Sequence, residues 1–370
     1  AFLLRKWELK DVDAQLLKLR TGHNNRVVSG PCRLQNGISK WSSMERDERN
    51  LFASSCMEEG EGVVVFIPAS GAATRMFKEL HLPLSGEVAE KLLLIWEQLP
   101  FASMLRAPEP ADSALQAAEL ANPIMRELDM GSWPKGHLPF FVSDSGEPMT
   151  AFEAHQAEWQ QFGSAHLIFT VPIDFQQNLP EKYRSWERVT WEIQRPETDA
   201  LAWDLERKAP ARFKGGELIL RPGGHGALLD NLNDAPDDLV VVRNIDNAVP
   251  VHLHESRNAW RGALLGSVIH LEAEREALWE RLERGESDAE EAAWRWLSDF
   301  VRGVEKPKSL GQWRYHLHRP IRVAGVVPNA GQAGGGPFWV ADGDGFFRPG
   351  IAESSELPEG LLAAGTHFNP

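Results

Sequence analysis

A chain of 370 residues, 42% of them hydrophobic, has enough apolar material for one large or two ordinary α/β domains. Its formal net charge of −14 excludes a general nucleic-acid surface, which needs a basic face to replace phosphate counterions. Cys32 and Cys56 are the only cysteines and form no CxxC pair, which excludes a disulfide framework and a cysteine zinc site and points to the cytoplasm. No apolar run approaches the roughly 20 residues that span a membrane.

The opening "AFLLRKWELKDVDAQ" lacks the apolar core of a signal peptide, and the missing initiator Met suggests a trimmed or engineered start. Residues 7–20 and 44–56 carry helical periodicity around the turn-rich "SGPCRLQNGISKW", so residues 1–60 read as an N-terminal helical appendage to a domain spanning 61–370. Val63–Ile67 is a continuous β-branched and aromatic run, the pattern of a strand covered on both faces. It feeds "PASGAATRMFKEL", where Ala69, Ser70, Gly71 and Ala72 offer almost no side chain, and Thr74 opens a helix whose first N–H groups favour an anion. Arg75 and Lys78 lie about one turn apart on that helix and can lean toward the same phosphate. The stretch is neither a Walker loop nor GxGxxG, and its plainer reading is a tight strand-to-helix turn with surface cations.

An Ala/Leu/Glu-rich stretch at about 86–130, broken by prolines, reads as a first helical insertion. In "WPKGHLPFF", Lys135 sits between a proline and a glycine, so its ammonium is held as a point charge able to meet a transferring phosphoryl group; the alternative is a solvated turn lysine. "HLIFTVP", "RVTWEIQ", "ELILRP" and "DLVVVRNID" are strand candidates that continue the sheet. The turn "RPGGHGALL" repeats the strand-into-glycine pattern, with Gly223 and Gly224 opening the main chain to a flat ring or a phosphate and His225 able to donate. "VRNIDN" puts Asp246 at the end of an apolar strand, where α/β ligands bind and Mg²⁺ finds oxygen; an Asx turn is the competing reading. Residues 255–303 form a second helical insertion, after which "IRVAGVVPN" and "GGPFWVAD" suggest a return to the sheet. The alternating pairs His252/His254 and His316/His318 lack a third ligand at metal spacing and read as surface or core histidines.

The order of these segments resembles the UDP-sugar pyrophosphorylase group of nucleotidyltransferases. "PASGAATRM" is similar to their Gly-Gly-x-Gly-Thr-Arg-Met loop, "WPKGHLPF" to their Pro-Lys element, "RPGGHGALL" to the Pro-Gly-His-Gly segment that holds the base, and "VRNIDN" to the metal-binding strand end. "EIQRP" resembles the region beside the uracil, and "FRPGIAESSEL" the sugar-contacting segment. The resemblance implies a GT-A/Rossmann-like mixed central sheet flanked by helices, with helical insertions. It also implies a Mg²⁺-dependent transfer between a nucleoside triphosphate, taken as UTP, and a sugar 1-phosphate. Arg75 and Lys135 would be catalytic and Asp246 the metal ligand; Ala69, Ser70, Gly71, Ala72, Thr74, Gln194, Gly223, Gly224 and His225 would hold the nucleotide. Asn247, Gly335, Gly336, Glu353 and Ser354 would contact the sugar. Ser70 and Ala73 stand where that loop has glycines, which leaves a non-catalytic nucleotide-binding protein as one alternative; a GT-A glycosyltransferase, lacking a good Asp-x-Asp, is another. Taken whole, and through "ILRPGGHGALLDNLND" and "AGGGPFWV", the chain most resembles a bacterial family described only as a domain of unknown function, which the resemblance implies should continue beyond the final "GTHFNP".

Overall fold

The structure, a computed structural model, describes residues 7–21, 27–58, 62–71, 86–105, 133–160, 162–221, 223–331, 335–357 and 368–370. In chain order, α1 (Leu9–Thr21), β1 (Val28–Pro31), α2 (Ser43–Glu58), β2 (Val63–Pro68) and α3 (Gly86–Leu94) come first. The hairpin β3 (Pro139–Val142) and β4 (Pro148–Thr150) leads into α4 (Ala151–Trp159), β5 (His166–Val171), α5 (Ile173–Gln177), α6 (Glu181–Arg184) and β6 (Val189–Ile193). Then follow α7 (Leu229–Asn233), β7 (Leu239–Val242), α8 (His254–Glu283), α9 (Ala289–Ser298), α10 (Leu310–Leu317), β8 (Gly336–Ala341) and β9 (Phe347–Ala352).

The chain forms two compact units, residues 1–20 with 57–256 and residues 21–56 with 257–370. The reading of residues 1–60 as one appendage divides the chain elsewhere, and the reason lies in what each early helix touches. Helix α1 belongs to the first unit, where Gln15 donates to Asp199 O and accepts from Leu201 N. Helix α2 lies almost wholly in the second unit, against α8, where Gly262 and Gly266 bring the helices so close that a Cβ at Gly266 would sit 1.9 Å from Arg49 O.

The first unit is α/β. Its core is a four-stranded, wholly parallel sheet in the order β7-β2-β5-β6. Val63–Ile67 are at most 2% exposed, because both faces of β2 are covered. On one face Val64, Phe66 and Ile168 pack with Leu228. Phe169, the next residue of β5, points to the other face and stacks on Trp191, with Phe152 of α4 edge-on to both.

The central sheet is wholly parallel rather than mixed, and the later strands pair outside it. "GGPFWVAD" does not return to the central sheet: β8 pairs antiparallel with β1 and β9 in the second unit. The reason is local, since Asp342–Gly345 turns the chain straight back, with Gly345 at φ 83°, and a tight turn can join only antiparallel strands. In "IRVAGVVPN" only Val327–Pro328 is strand, paired with Phe368–Asn369, and in "ELILRP" only Leu220–Arg221, paired antiparallel with Ala200–Leu201. The second helical stretch is realised as α8 and α9, whose Leu282 and Leu297 pack with Trp313 and Leu317 of α10. Among the described residues, no helix is long and apolar enough to cross a membrane.

Candidate functional site

Strands β2, β5 and β6 are laid down in one direction, and β7 then returns to the opposite side of β2. The strand order therefore reverses between β2 and β7, and the carboxyl edge at such a reversal is where open parallel sheets hold ligands. The segment after β2 begins with Ala69, Ser70 and Gly71, and the turn after β7 contains Asp246.

Lys135 enters this edge from a separate connection. It begins a 3-10 turn, Lys135–His137, whose first backbone N–H donates to Gly71 O at 3.2 Å. Its Nζ lies 2.5 Å from Asp246 Oδ1, the two side chains being 27% and 40% exposed. The two groups singled out for charge chemistry are thus in direct contact and open to solvent. The Lys135 turn is held by a packed wall. Gly136 lies so close to the Phe152 ring that a Cβ would stand 2.2 Å from it. His137 stacks tilted on Trp133, and its Nδ1 lies 2.6 Å from the Tyr183 hydroxyl. Burial pushes the His137 imidazole down to about 4, the Lys182 ammonium adding to the shift and Glu153 opposing it. Burial likewise raises the Tyr183 phenol. His137 is therefore neutral at physiological pH, bonded to the Tyr183 hydroxyl.

The Asp246 turn, Ile245–Asn247, is braced from behind by α4. Thr150 and Glu153 form a capping box that starts this helix, and Lys182 bonds Glu153 at 2.8 Å. Burial raises the Glu153 carboxyl, but the hydrogen bonds from Lys182 and Thr150 outweigh it and hold the group below its ordinary value. From the buried face of α4, His155 Nε2 lies 3.1 Å from Ile245 O. Arg243 donates to Asn247 O at 2.9 Å and lies 4.0 Å from Glu158 of the same helix.

The other end of the edge is neutral. Ser70 Oγ donates to Gln194 Oε1 at 2.6 Å, and Gln194 Nε2 donates to Gly223 O at 3.1 Å, so one amide joins the loop after β2, the end of β6 and the second glycine turn. Ala69 N donates to Thr170 O at 3.0 Å, which engages that amide within the sheet edge. Gly223 faces the protein, where a Cβ would lie 2.7 Å from Thr198 O and 2.6 Å from Ala227 Cβ; Gly224 faces open space.

The expected site residues Ser70, Gly71, Lys135, Gln194, Gly223 and Asp246 are thus linked directly to one another, and Asn247 follows in the same turn as Asp246. Ala72, Thr74 and Arg75, and the side chain of His225, lie outside the described residues. Gly335, Gly336, Glu353 and Ser354 belong to the second unit. There Gly335 and Gly336 are buried against β9, with Ala352 O 2.2 Å from where a Gly335 Cβ would stand, and Glu353 caps the short turn Ser354–Glu356. The sequence reading missed Phe152, His155, Glu158 and Arg243. The capping-box spacing of Thr150 and Glu153 announces the helix that carries the first three, but nothing in the sequence marks its buried polar residues or their contact with Arg243 after β7.

Among the described residues no group of three His, Cys, Asp or Glu side chains could hold a metal ion. Asp246 is a single hard oxygen donor, of the kind Mg²⁺ takes one or two of from a protein, and its Oδ1 is paired with Lys135. No curated protein matches the chain. A family model described as a domain of unknown function, DUF4301, matches residues 2–92 and 113–370. With nearly its whole length matched, the chain is a member of the DUF4301 family.

Proposed function

We propose that the protein is a cytoplasmic nucleotidyltransferase that joins a nucleoside triphosphate, UTP in the first instance, to a sugar 1-phosphate and releases pyrophosphate. The observation that carries this reading is the meeting of Lys135, Asp246 and Gly71 at the carboxyl edge, where the strand order reverses. A triphosphate needs cationic compensation on a protein of charge −14, and Lys135 supplies a local ammonium held by its turn.

In the reaction, a sugar-phosphate oxygen forms a bond to the α-phosphorus while the bond to the β-bridging oxygen breaks and pyrophosphate leaves. Lys135 stabilises the negative charge that grows on the α-phosphoryl oxygens. Arg75, from the segment after Gly71, is the second cation in this reading. Ser70 and Gln194 hold the loop and the base turn in register, and Gly224 leaves its turn open to a flat ring. Asp246 is the residue that would hold Mg²⁺, which when bound supplies further charge neutralisation. The decisive experiment is a screen of nucleoside triphosphates against sugar 1-phosphates in Mg²⁺ for pyrophosphate release. Activity with one pair supports the reading, and calorimetry showing no binding of any triphosphate or nucleotide sugar at millimolar concentration removes it.

A further inference from the structure

Helix α4 touches the residue next to each half of the charged pair. Phe152 lies against the residue after Lys135, because Gly136 approaches its ring with no room for a Cβ. His155, fully buried, bonds the carbonyl of the residue before Asp246 at 3.1 Å. Residues three apart share one helix face, so a single rigid face meets both turns. A carbonyl oxygen only accepts, so His155 Nε2 carries the hydrogen. The helix itself is fixed at its start by the Thr150–Glu153 capping box.

We propose that Phe152 and His155 are positioning residues that together set the distance between the Lys135 ammonium and the Asp246 carboxylate. Each acts on a neighbouring backbone unit: Phe152 by contact with Gly136, His155 by its hydrogen bond to Ile245. Moving one turn without the other would place the cation and the carboxylate out of step with the phosphate they are to share. The effect on turnover rests on the nucleotidyl-transfer reading; the spacing of the two groups does not.

The two residues act on different partners, so their variants separate. His155→Phe keeps the ring volume and loses the donor, and it should raise the Mg²⁺ concentration for half-maximal pyrophosphate release about tenfold, as loss of a group that orients a metal ligand does. His155→Gln, which returns an amide donor at the same reach, should restore most of it. Phe152→Leu should leave the Mg²⁺ requirement unchanged and lower turnover about tenfold, because it loosens the Lys135 turn. Equal scaling of both variants with lost thermal stability, or an unchanged Mg²⁺ titration in folded His155→Phe, overturns the proposal. If the wild-type protein releases no pyrophosphate, the functional reading fails by itself, and the spacing is read by nuclear magnetic resonance of the Lys135 ammonium, assigned with Lys135→Arg. A slowly exchanging ammonium signal in the wild type and His155→Gln that vanishes in His155→Phe supports the positioning role; persistence in His155→Phe overturns it.

Discussion

The two ends of the sheet edge use polar groups in opposite ways. Beside the reversal of strand order, Lys135 and Asp246 satisfy each other through a partly exposed ion pair. Toward β6, Ser70, Gln194 and Gly223 form a neutral chain of hydrogen bonds that stays within the protein. An exposed ion pair contributes little to stability and is readily exchanged for other charges, whereas an amide that both accepts and donates between loops holds them in place. The charged end is suited to meet a ligand and the neutral end to keep the loop between them in position.

The sharpest way to break this comparison is Lys135→Ala. If the charged end does the chemistry, transition-state stabilisation should fall by about 2–4 kcal/mol while nucleotide affinity falls less. Turnover for pyrophosphate release and calorimetric binding decide it, and unchanged turnover in a folded variant takes Lys135 out of the mechanism. Next in size, Gly136→Ala should destabilise the protein by about 1–3 kcal/mol in denaturant unfolding, since its Cβ must displace the Phe152 ring or the turn. Full native stability would mean that the wall beneath Lys135 yields.

The wall also predicts a pH dependence. His137 has its imidazole pushed down to about 4, so it binds a proton more readily when unfolded, and its contribution to stability is present above about 6.5 and lost as pH falls toward 4. The loss should be on the order of 2 kcal/mol by pH 5. Denaturant unfolding at pH 7.5 and 5 should show it in the wild type, and His137→Phe should flatten the difference. A His137→Phe profile parallel to the wild type would assign the dependence to other groups. The smallest effect separates two adjacent glycines at the neutral end. Gly223→Ala should cost about 1 kcal/mol or more because it meets Thr198 O, whereas Gly224→Ala, facing open space, should stay within about 0.5 kcal/mol. Equal melting shifts for the two would contradict the packing assigned to Gly223.

The parallel strands were legible because each is a short apolar, β-branched run, and "HLIFTVP", "RVTWEIQ" and "DLVVVRNID" all contribute to one sheet. Lys135 and Asp246 were legible for local reasons, one fixed between Pro134 and Gly136, the other ending an apolar strand. Their contact was not, because it joins residues more than a hundred positions apart and depends on where β7 pairs. The partner of a strand is a tertiary choice, which is why "GGPFWVAD" read correctly as a strand and was assigned to the wrong sheet. The roles of Gly335 and Gly223 were hidden for a related reason: a glycine needed for close packing and one needed for a ligand look alike until the neighbouring atoms are known.

The pairing of Leu239–Val242 with Val63–Phe66 has a kinetic consequence. It closes a loop of more than 170 residues, the kind of long-range parallel contact that forms slowly because its chain entropy is lost before its contacts repay it. Lys135 and Asp246 meet only once that pairing is made. During synthesis the first three strands of the sheet can emerge and associate while the charged end is still absent, so the Lys135–Asp246 pair should form late in folding, together with the last strand rather than with the bulk of the core.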